Sequence, residues 1–276
     1  MSSALRSWGN AAARLDRRII FLVIAAAVVV PLLVKIGLPL RTSAYAQALY
    51  DKVESLPEGT PVVLGFDYDP GSMPELAPMT RSLLHHMFRK NLRVIVITNY
   101  PQTGAIAERQ LLEIAPLYGR RPGIDFANLG YKAGNEAVIL AVANDFRVAY
   151  PTDHHGVPTD SLPVMAGVHT WRDVKLLVDV AHGATVNNYI RIAGARYGVP
   201  IGAGCTAVSI PQYHSYLQSG QMLGLLGGLQ GAAEYEQFIG RPGFASAGMD
   251  AQSIAHVAIL FFVALGNAAF FLGRRR

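Results

Sequence analysis

Two long apolar segments near the ends of this 276-residue chain restrict its fold more than any other feature. The first, residues 19–40, contains a single charged residue, Lys35. The second, residues 254–272, contains only His256 and Asn267 as polar side chains. A helix of about 20 largely apolar residues spans the ~30 Å hydrocarbon core of a bilayer. The sequence therefore predicts two transmembrane helices, one near each end of the chain.

The net charge of +5 comes from the two ends of the chain, where basic residues outnumber acidic ones. The middle segment, residues 41–253, carries 16 Lys and Arg against 18 Asp and Glu, so its charge argues against nucleic-acid binding. Because loops rich in arginine and lysine stay on the cytoplasmic side, we expect cytoplasmic tails at 1–18 and 273–276. The predicted location is an inner or plasma membrane, with an extracytoplasmic domain. The outer basic residues are Arg6, Arg14, Arg17, Arg18, Arg274, Arg275 and Arg276.

A cleaved signal peptide is the alternative for the first apolar segment. Arg17 and Arg18 precede the apolar run, and Ala44-Tyr45-Ala46 loosely fits a cleavage site. Either outcome exports the middle segment. Cys205 is the only cysteine, so no intrachain disulfide can form and cysteine usage does not decide the compartment.

Strand-like and helix-like patterns alternate through residues 41–253, which are enough for one domain. Short runs rich in β-branched residues read as buried strands, and the segments between them have helical periodicity. This alternation predicts an α/β domain with a doubly wound, mostly parallel sheet. The first predicted strand begins at Pro61. The other predicted strands cover 92–98, 124–129, 174–180 and 199–202. The predicted helices cover 43–56, 74–90, 104–118, 134–143, 185–197, 210–219 and 229–238.

Polar side chains stand where several of these strands end. Ligands of open parallel sheets bind beyond the carboxyl ends of the strands, so we expect these groups to share one crevice. Asp67 and Asp69 end the first strand and mark the site to examine first. The other candidates at this edge are Thr98, Asn99, Lys132, Asp179 and His182.

Four short segments resemble the motifs of haloacid-dehalogenase-type phosphotransferases. They are Phe66-Asp67-Tyr68-Asp69, Ile97-Thr98-Asn99, Tyr131-Lys132 and Val178-Asp179. The resemblance implies Asp67 as the phosphoryl-accepting nucleophile and Asp69 as the general acid/base, with Mg²⁺ bound by Asp67, Asp69 and Asp179. It implies that Thr98 and Lys132 hold the phosphate. Asn99 and His182 are the further ligand-binding candidates beside them.

The chain departs from that family in two places: Pro70-Gly71-Ser72 replaces the usual Gly-Thr, and residues 181–184 provide no second acid. The overall layout is also similar to a group of uncharacterised prokaryotic membrane proteins, which have an α/β domain between two terminal transmembrane helices. Residues 65–70, 231–236 and 249–256 carry that second resemblance. It implies the architecture and no activity.

The long segment 146–167 contains Asp153, His154, His155 and Asp160, which are ligand types suited to Zn²⁺ or Mn²⁺. Adjacent histidines are a poor ligand spacing, so a solvated irregular loop is the favoured interpretation.

Two features in the last third of the chain concern assembly. The glycine-rich segment 220–228 is interpreted either as a close-packed helix in lipid or as a glycine-weakened core helix or loop. His256 and Asn267 are 11 residues apart, which places them on nearly one face of a helix. Polar groups in a membrane helix usually face a partner helix.

Together these features predict a membrane-anchored α/β binding or assembly module, acting in a homo-oligomer or a membrane complex. The competing hypothesis is a membrane-anchored, metal-dependent phosphoester hydrolase that uses Asp67. A third interpretation is a receptor that binds a small ligand in the same crevice without chemistry.

Overall fold

The computed structural model describes residues 16–34 and 36–274. They form two compact units: one comprises Leu40–Ala245, and the other contains the chain on either side of it. Most of the two predicted basic tails lies outside the described residues, and so do Lys35, Arg275 and Arg276.

The first unit is built on a six-stranded parallel sheet with the order β3-β2-β1-β4-β5-β6. The prediction of a parallel α/β sheet is confirmed. The strands are β1 (Pro61–Asp67), β2 (Arg93–Thr98), β3 (Phe126–Tyr131), β4 (Leu177–Ala181), β5 (Ile201–Cys205) and β6 (Gly224–Gly227).

Helices connect the strands and flank both ends of the chain. Short 3₁₀ turns and one π-helical turn, Ile190–Gly194, complete the connections. The α-helices are α1 (Arg17–Leu33), α2 (Ala44–Ser55), α3 (Met73–Arg89), α4 (Thr103–Ile114), α5 (Glu136–Val142), α6 (Phe146–Ala149), α7 (Thr185–Tyr189), α8 (Ala195–Tyr197), α9 (Ile210–Gln218), α10 (Gly228–Phe238) and α11 (Phe244–Arg274).

Both faces of the sheet are covered, which is why its strands are continuous apolar runs rather than alternating ones. On one face, glycines in β5 let other side chains approach closely: a Cβ on Gly202 would lie 2.6 Å from Leu49 of α2, and one on Gly204 would lie 2.8 Å from Met79 of α3. On the other face, the core contains Trp171. Fully buried tyrosines pack into that same cluster.

The structure of the glycine-rich segment 220–228 differs from the sequence prediction. It is neither a helix in lipid nor a core helix, because Gly224–Gly227 form the edge strand β6 and pair with β5. A Cβ on Gly224 would lie 2.6 Å from the carbonyl oxygen of Tyr45 and 2.9 Å from the backbone nitrogen of Leu49. The missing side chain therefore allows α2 to lie directly against the edge of the sheet.

The segment 146–167 is mostly irregular, as predicted, with short helical turns inside it. Its acidic and histidine side chains have structural partners. Asp153 accepts hydrogen bonds from the backbone N–H groups of His155 and Val157, and Asp160 pairs with Arg147. His155 contacts Glu108, with 2.9 Å between Nε2 and Oε1.

The second unit contains α1 and most of α11. The 31-residue α11 begins at Phe244 and is long and apolar enough to cross a membrane. In the most apolar stretch of α11, only 6% of the residues are buried. A core helix of a soluble protein buries most of such a surface. The structure thus contains the predicted C-terminal apolar helix, and most of its surface is exposed.

Three buried acids fix the backbone near these helices by accepting hydrogen bonds from N–H groups. Glu236 accepts from Gly243 and Ala245, where α11 begins. Asp250 accepts from the N–H groups of Gly37 and Leu38, at 2.8 and 2.9 Å. Glu234 accepts from the N–H of Ser43. These acids lie in the segments that carry the resemblance to two-helix membrane proteins, and each of them fixes the backbone by accepting from main-chain N–H groups.

Candidate functional site

The strand order reverses direction between β1 and β4, which is the topological switch point where doubly wound sheets bind ligands. Asp67 ends β1, and Asp179 lies in β4 opposite Gly65. Residues two apart share a face of a strand, so both carboxyl groups project to the same side of the sheet. A Cβ on Gly65 would lie 2.4 Å from Oδ1 of Asp179, so only glycine leaves room for that carboxyl group.

Asp67 is fully buried, and Asn99 occupies both of its oxygens. The backbone N–H of Asn99 donates to Oδ1 at 2.6 Å, and the Asn99 amide donates to Oδ2 at 2.7 Å. The same amide donates to the hydroxyl of Tyr189 at 2.9 Å. Asp67 therefore fixes the first residue after β2 and links it to α7.

Asp179 is also fully buried, and its carboxyl group is close enough to that of Asp67 for the two charges to interact. Its Oδ2 accepts from Thr185 at 2.9 Å, whereas no donor reaches its Oδ1 from the residues that the structure describes. Two buried carboxylates so close together repel each other, which favours a proton on one of them. Burial raises the pKa of both groups, and the charge of Asp67 raises the pKa of Asp179 further. Because Asn99 donates to both oxygens of Asp67 and stabilises its charge, the proton is favoured on Asp179.

The Asp179→Asn variant is expected to become more stable than the wild type, and the difference in the free energy of unfolding should grow as the pH rises. Because the pKa of Asp179 is raised in the folded protein above its ordinary value of 3.8, the folded state binds the proton more tightly than the unfolded chain does, and this group makes stability fall with pH from about 4 upwards. The slope reaches at most about 1.4 kcal/mol per pH unit. Asparagine keeps a donor toward Asp67 without a titrating proton. Urea unfolding of both proteins between pH 4 and pH 8 measures the difference.

The Asp173→Asn variant is the matched control, because Asp173 accepts backbone hydrogen bonds from His169 and Thr170 and its pKa is lowered. Its loss must act in the opposite direction, reducing stability at neutral pH. Parallel pH profiles for wild type and Asp179→Asn would contradict a shared proton at Asp67 and Asp179.

Above this buried acid pair lies a more accessible set of side chains, the edge cluster: Asp69, Tyr100 and His182. Asp69 has a 48% exposed side chain and accepts hydrogen bonds from the backbone and hydroxyl of Ser72, which lower its pKa. Nε2 of His182 lies 4.0 Å from Asp69, and its ring centroid lies 4.9 Å from that of Tyr100. Nδ1 of His182 is buried and has no partner among the described residues. The accessible hydrogen-bonding capacity of the cluster therefore lies mainly in the half-exposed carboxylate of Asp69.

Thr98 and Lys132 have different environments. The Thr98 hydroxyl is buried, donates to the carbonyl of Phe66 at 2.6 Å and accepts from the N–H of Tyr100, so its hydrogen-bonding capacity is used inside the protein. Lys132 follows β3, which β2 separates from β1. The half-buried Lys132 makes no hydrogen bond or ion pair with any residue in the described ranges. The structure thus joins Asp67, Asn99 and Asp179 in one network, without Lys132.

The three acids suggested as Mg²⁺ ligands are Asp67, Asp69 and Asp179. Among the described residues, no group of three or more His, Cys, Asp or Glu side chains is placed to hold a metal ion. The oxygens of Asp67 already face N–H donors, which a cation would have to displace. The role of Mg²⁺ stays a prediction that rests on the sequence resemblance.

Sequence reasoning missed Gly65, Thr185 and Tyr189. A glycine inside a strand often marks a close approach of another group, so Gly65 could have been identified. Thr185 and Tyr189 lie on α7 and reach the acid pair only through the tertiary fold, so no local sequence signal could have identified them.

Comparison with known proteins adds no functional assignment. Neither a scan of protein-family models nor a search of curated proteins finds a match to this chain. Its function is therefore inferred from the fold and the site geometry.

Proposed function

We propose that this chain is a membrane-anchored α/β binding module that assembles with copies of itself and binds its ligand or partner at the edge cluster. The observation that carries the proposal is the exposed apolar surface of α11. A signal sequence lies near the N-terminus, and a core helix is buried, so neither accounts for a long exposed apolar helix after the domain. Insertion into a bilayer removes this surface from water.

The N-terminal helix α1 supports a second membrane crossing. It has 17 residues, and large apolar side chains such as Phe21 and Leu22 are 69% exposed. Its 17 residues are at the lower end of the range of about 17–25 that a helical crossing requires. With two crossings and arginines outside both, the termini are cytoplasmic and the α/β domain is extracytoplasmic, in an inner or plasma membrane.

Binding fits the switch point better than phosphoryl transfer through Asp67. A nucleophile must reach its substrate, but Asp67 is fully buried and both of its oxygens accept hydrogen bonds from Asn99. The buried acid pair instead holds the strand ends in place beneath the edge cluster. Rigid support of a few accessible polar groups is what selective binding requires.

A photocrosslinking experiment in native membranes tests the position of the binding surface. A benzoylphenylalanine residue replaces exposed Gln102 beside the edge cluster, and in a control it replaces exposed Lys175, two residues before β4. We expect a specific adduct from position 102 and none from position 175. Equal adducts, or none from position 102, would refute binding at this edge. Resistance of the chain to alkaline extraction measures the membrane anchor separately.

A further inference from the structure

The two polar residues of the apolar part of α11 lie on one line of the helix with two apolar neighbours. The four residues, here called the polar seam, are His256, Leu260, Val263 and Asn267, and all four are exposed. Their spacings of four, three and four residues are those of the d and a positions of a heptad repeat, which bring successive residues to one face of a left-handed helix pair. Neither His256 nor Asn267 has a hydrogen-bond partner in the described ranges.

Helix α1 does not cover this seam. Residues of both helices line an apolar groove of about 740 Å³. On α11 the groove is lined by residues such as Ile254, Ala258, Phe261 and Leu265. At 100° per residue these side chains lie on the opposite face of α11 from the polar seam. An imidazole and a carboxamide facing lipid would leave polar groups without partners in hydrocarbon.

We propose that the polar seam is the contact between two copies of this chain in the membrane. This inference rests on the proposed function, because it requires α11 to span the bilayer. Copies inserted in the same direction place their α11 helices parallel, so Asn267 faces Asn267 and His256 faces His256. A carboxamide is both donor and acceptor, so two identical asparagines satisfy each other across a twofold axis. An asparagine at an a position also fixes the register of a parallel pair.

Cysteine crosslinking tests the seam in native membranes, in a Cys205→Ala background that leaves no other cysteine. Leu260→Cys lies on the seam, and Val257→Cys is the matched control because it has nearly the same exposure, 67% against 66%, on the groove side. With a mild oxidant, we expect Leu260→Cys to form a disulfide-linked dimer and Val257→Cys to remain a monomer. Equal crosslinking of both variants, or none at position 260, would overturn the proposal.

A second substitution tests the asparagine pair. Adding Asn267→Ala to Leu260→Cys should lower the dimer-to-monomer ratio about three- to twenty-fold, the range of measured interhelical hydrogen bonds in membranes. Asn267→Gln should keep most of the dimer. An unchanged ratio with alanine would overturn the role of the asparagine, and an adduct heavier or lighter than twice 29.7 kDa would overturn the second copy as partner.

Alkaline extraction of the same membranes separates this inference from the proposed function. If the chain resists extraction but Leu260→Cys does not crosslink, the polar seam is not the dimer contact, and the proposed membrane anchor is retained. If the chain is released by alkaline carbonate, both the anchor and the seam are wrong.

Discussion

Replacing Asp67 with alanine is expected to destabilise the α/β domain by about 2–6 kcal/mol, because each of two donors left without an acceptor costs about 1–3 kcal/mol. The substitution leaves the two Asn99 donors without their acceptor inside the protein. For a domain of this size, that loss lowers the melting temperature by about 10 °C. The fluorescence of buried Trp171, in a Trp8→Phe background, reports the unfolding of the full chain in detergent.

Asp69→Ala is the matched control two residues away. Asp69 is half-exposed and supports a local turn through Ser72, so its loss should cost about 1 kcal/mol. The comparison also tests the hydrolase hypothesis. Catalytic groups are often held at a cost in stability, so replacing a nucleophile commonly leaves a protein equally or more stable. A stable Asp67→Ala protein that had lost a Mg²⁺-dependent phosphoesterase activity would favour the hydrolase over the binding module.

Replacing Gly224 with alanine should cost about 3 kcal/mol, at the upper end of the range for overpacking a core. The new methyl group would lie 2.6 Å from the carbonyl oxygen of Tyr45 and 2.9 Å from the backbone nitrogen of Leu49. These are backbone atoms of a regular helix, so a side-chain rotation cannot relieve the contact. Instead α2 must move away from β6, which exposes the edge of the sheet. Denaturant unfolding in detergent measures the loss.

Gly71→Ala provides the control for Gly224→Ala, because the same methyl group would meet only the Asp69 carboxylate at 3.4 Å, an ordinary contact. We expect a change below about 0.5 kcal/mol there. Comparable losses at Gly71 and Gly224 would show that α2 is not packed against β6 as closely as the structure places it.

Both predictions concern the scaffold beneath the edge cluster rather than the cluster itself. If the protein is a binding module, its selectivity resides in Asp69, Tyr100 and His182, whose substitution should alter binding with a smaller loss of stability. The buried acid pair sets where those groups stand. The site therefore consists of the buried acid pair, which unfolding experiments test, and the accessible edge cluster, which binding experiments test.

Several secondary-structure elements could be predicted from the local sequence alone. The strand β1, from Pro61 to Asp67, and the parallel arrangement follow from apolar runs that alternate with helical segments. The segment 220–228 could not be read in this way, because its few residues fit a helix, a loop or a strand equally well. It becomes β6 because β5 offers an unpaired edge and α2 requires the space above Gly224.

What the sequence determined by itself is the alternation of elements, the parallel sheet and the apolar character of the two ends, because these depend on neighbouring residues within one segment. The tertiary structure alone decided that Asp67 is a buried acceptor and not an accessible nucleophile, since its partners Asn99 and Asp179 come from other strands. It also decided which face of α11 remains uncovered. Burial and pairing are properties of residues distant in the chain, so no local pattern encodes them.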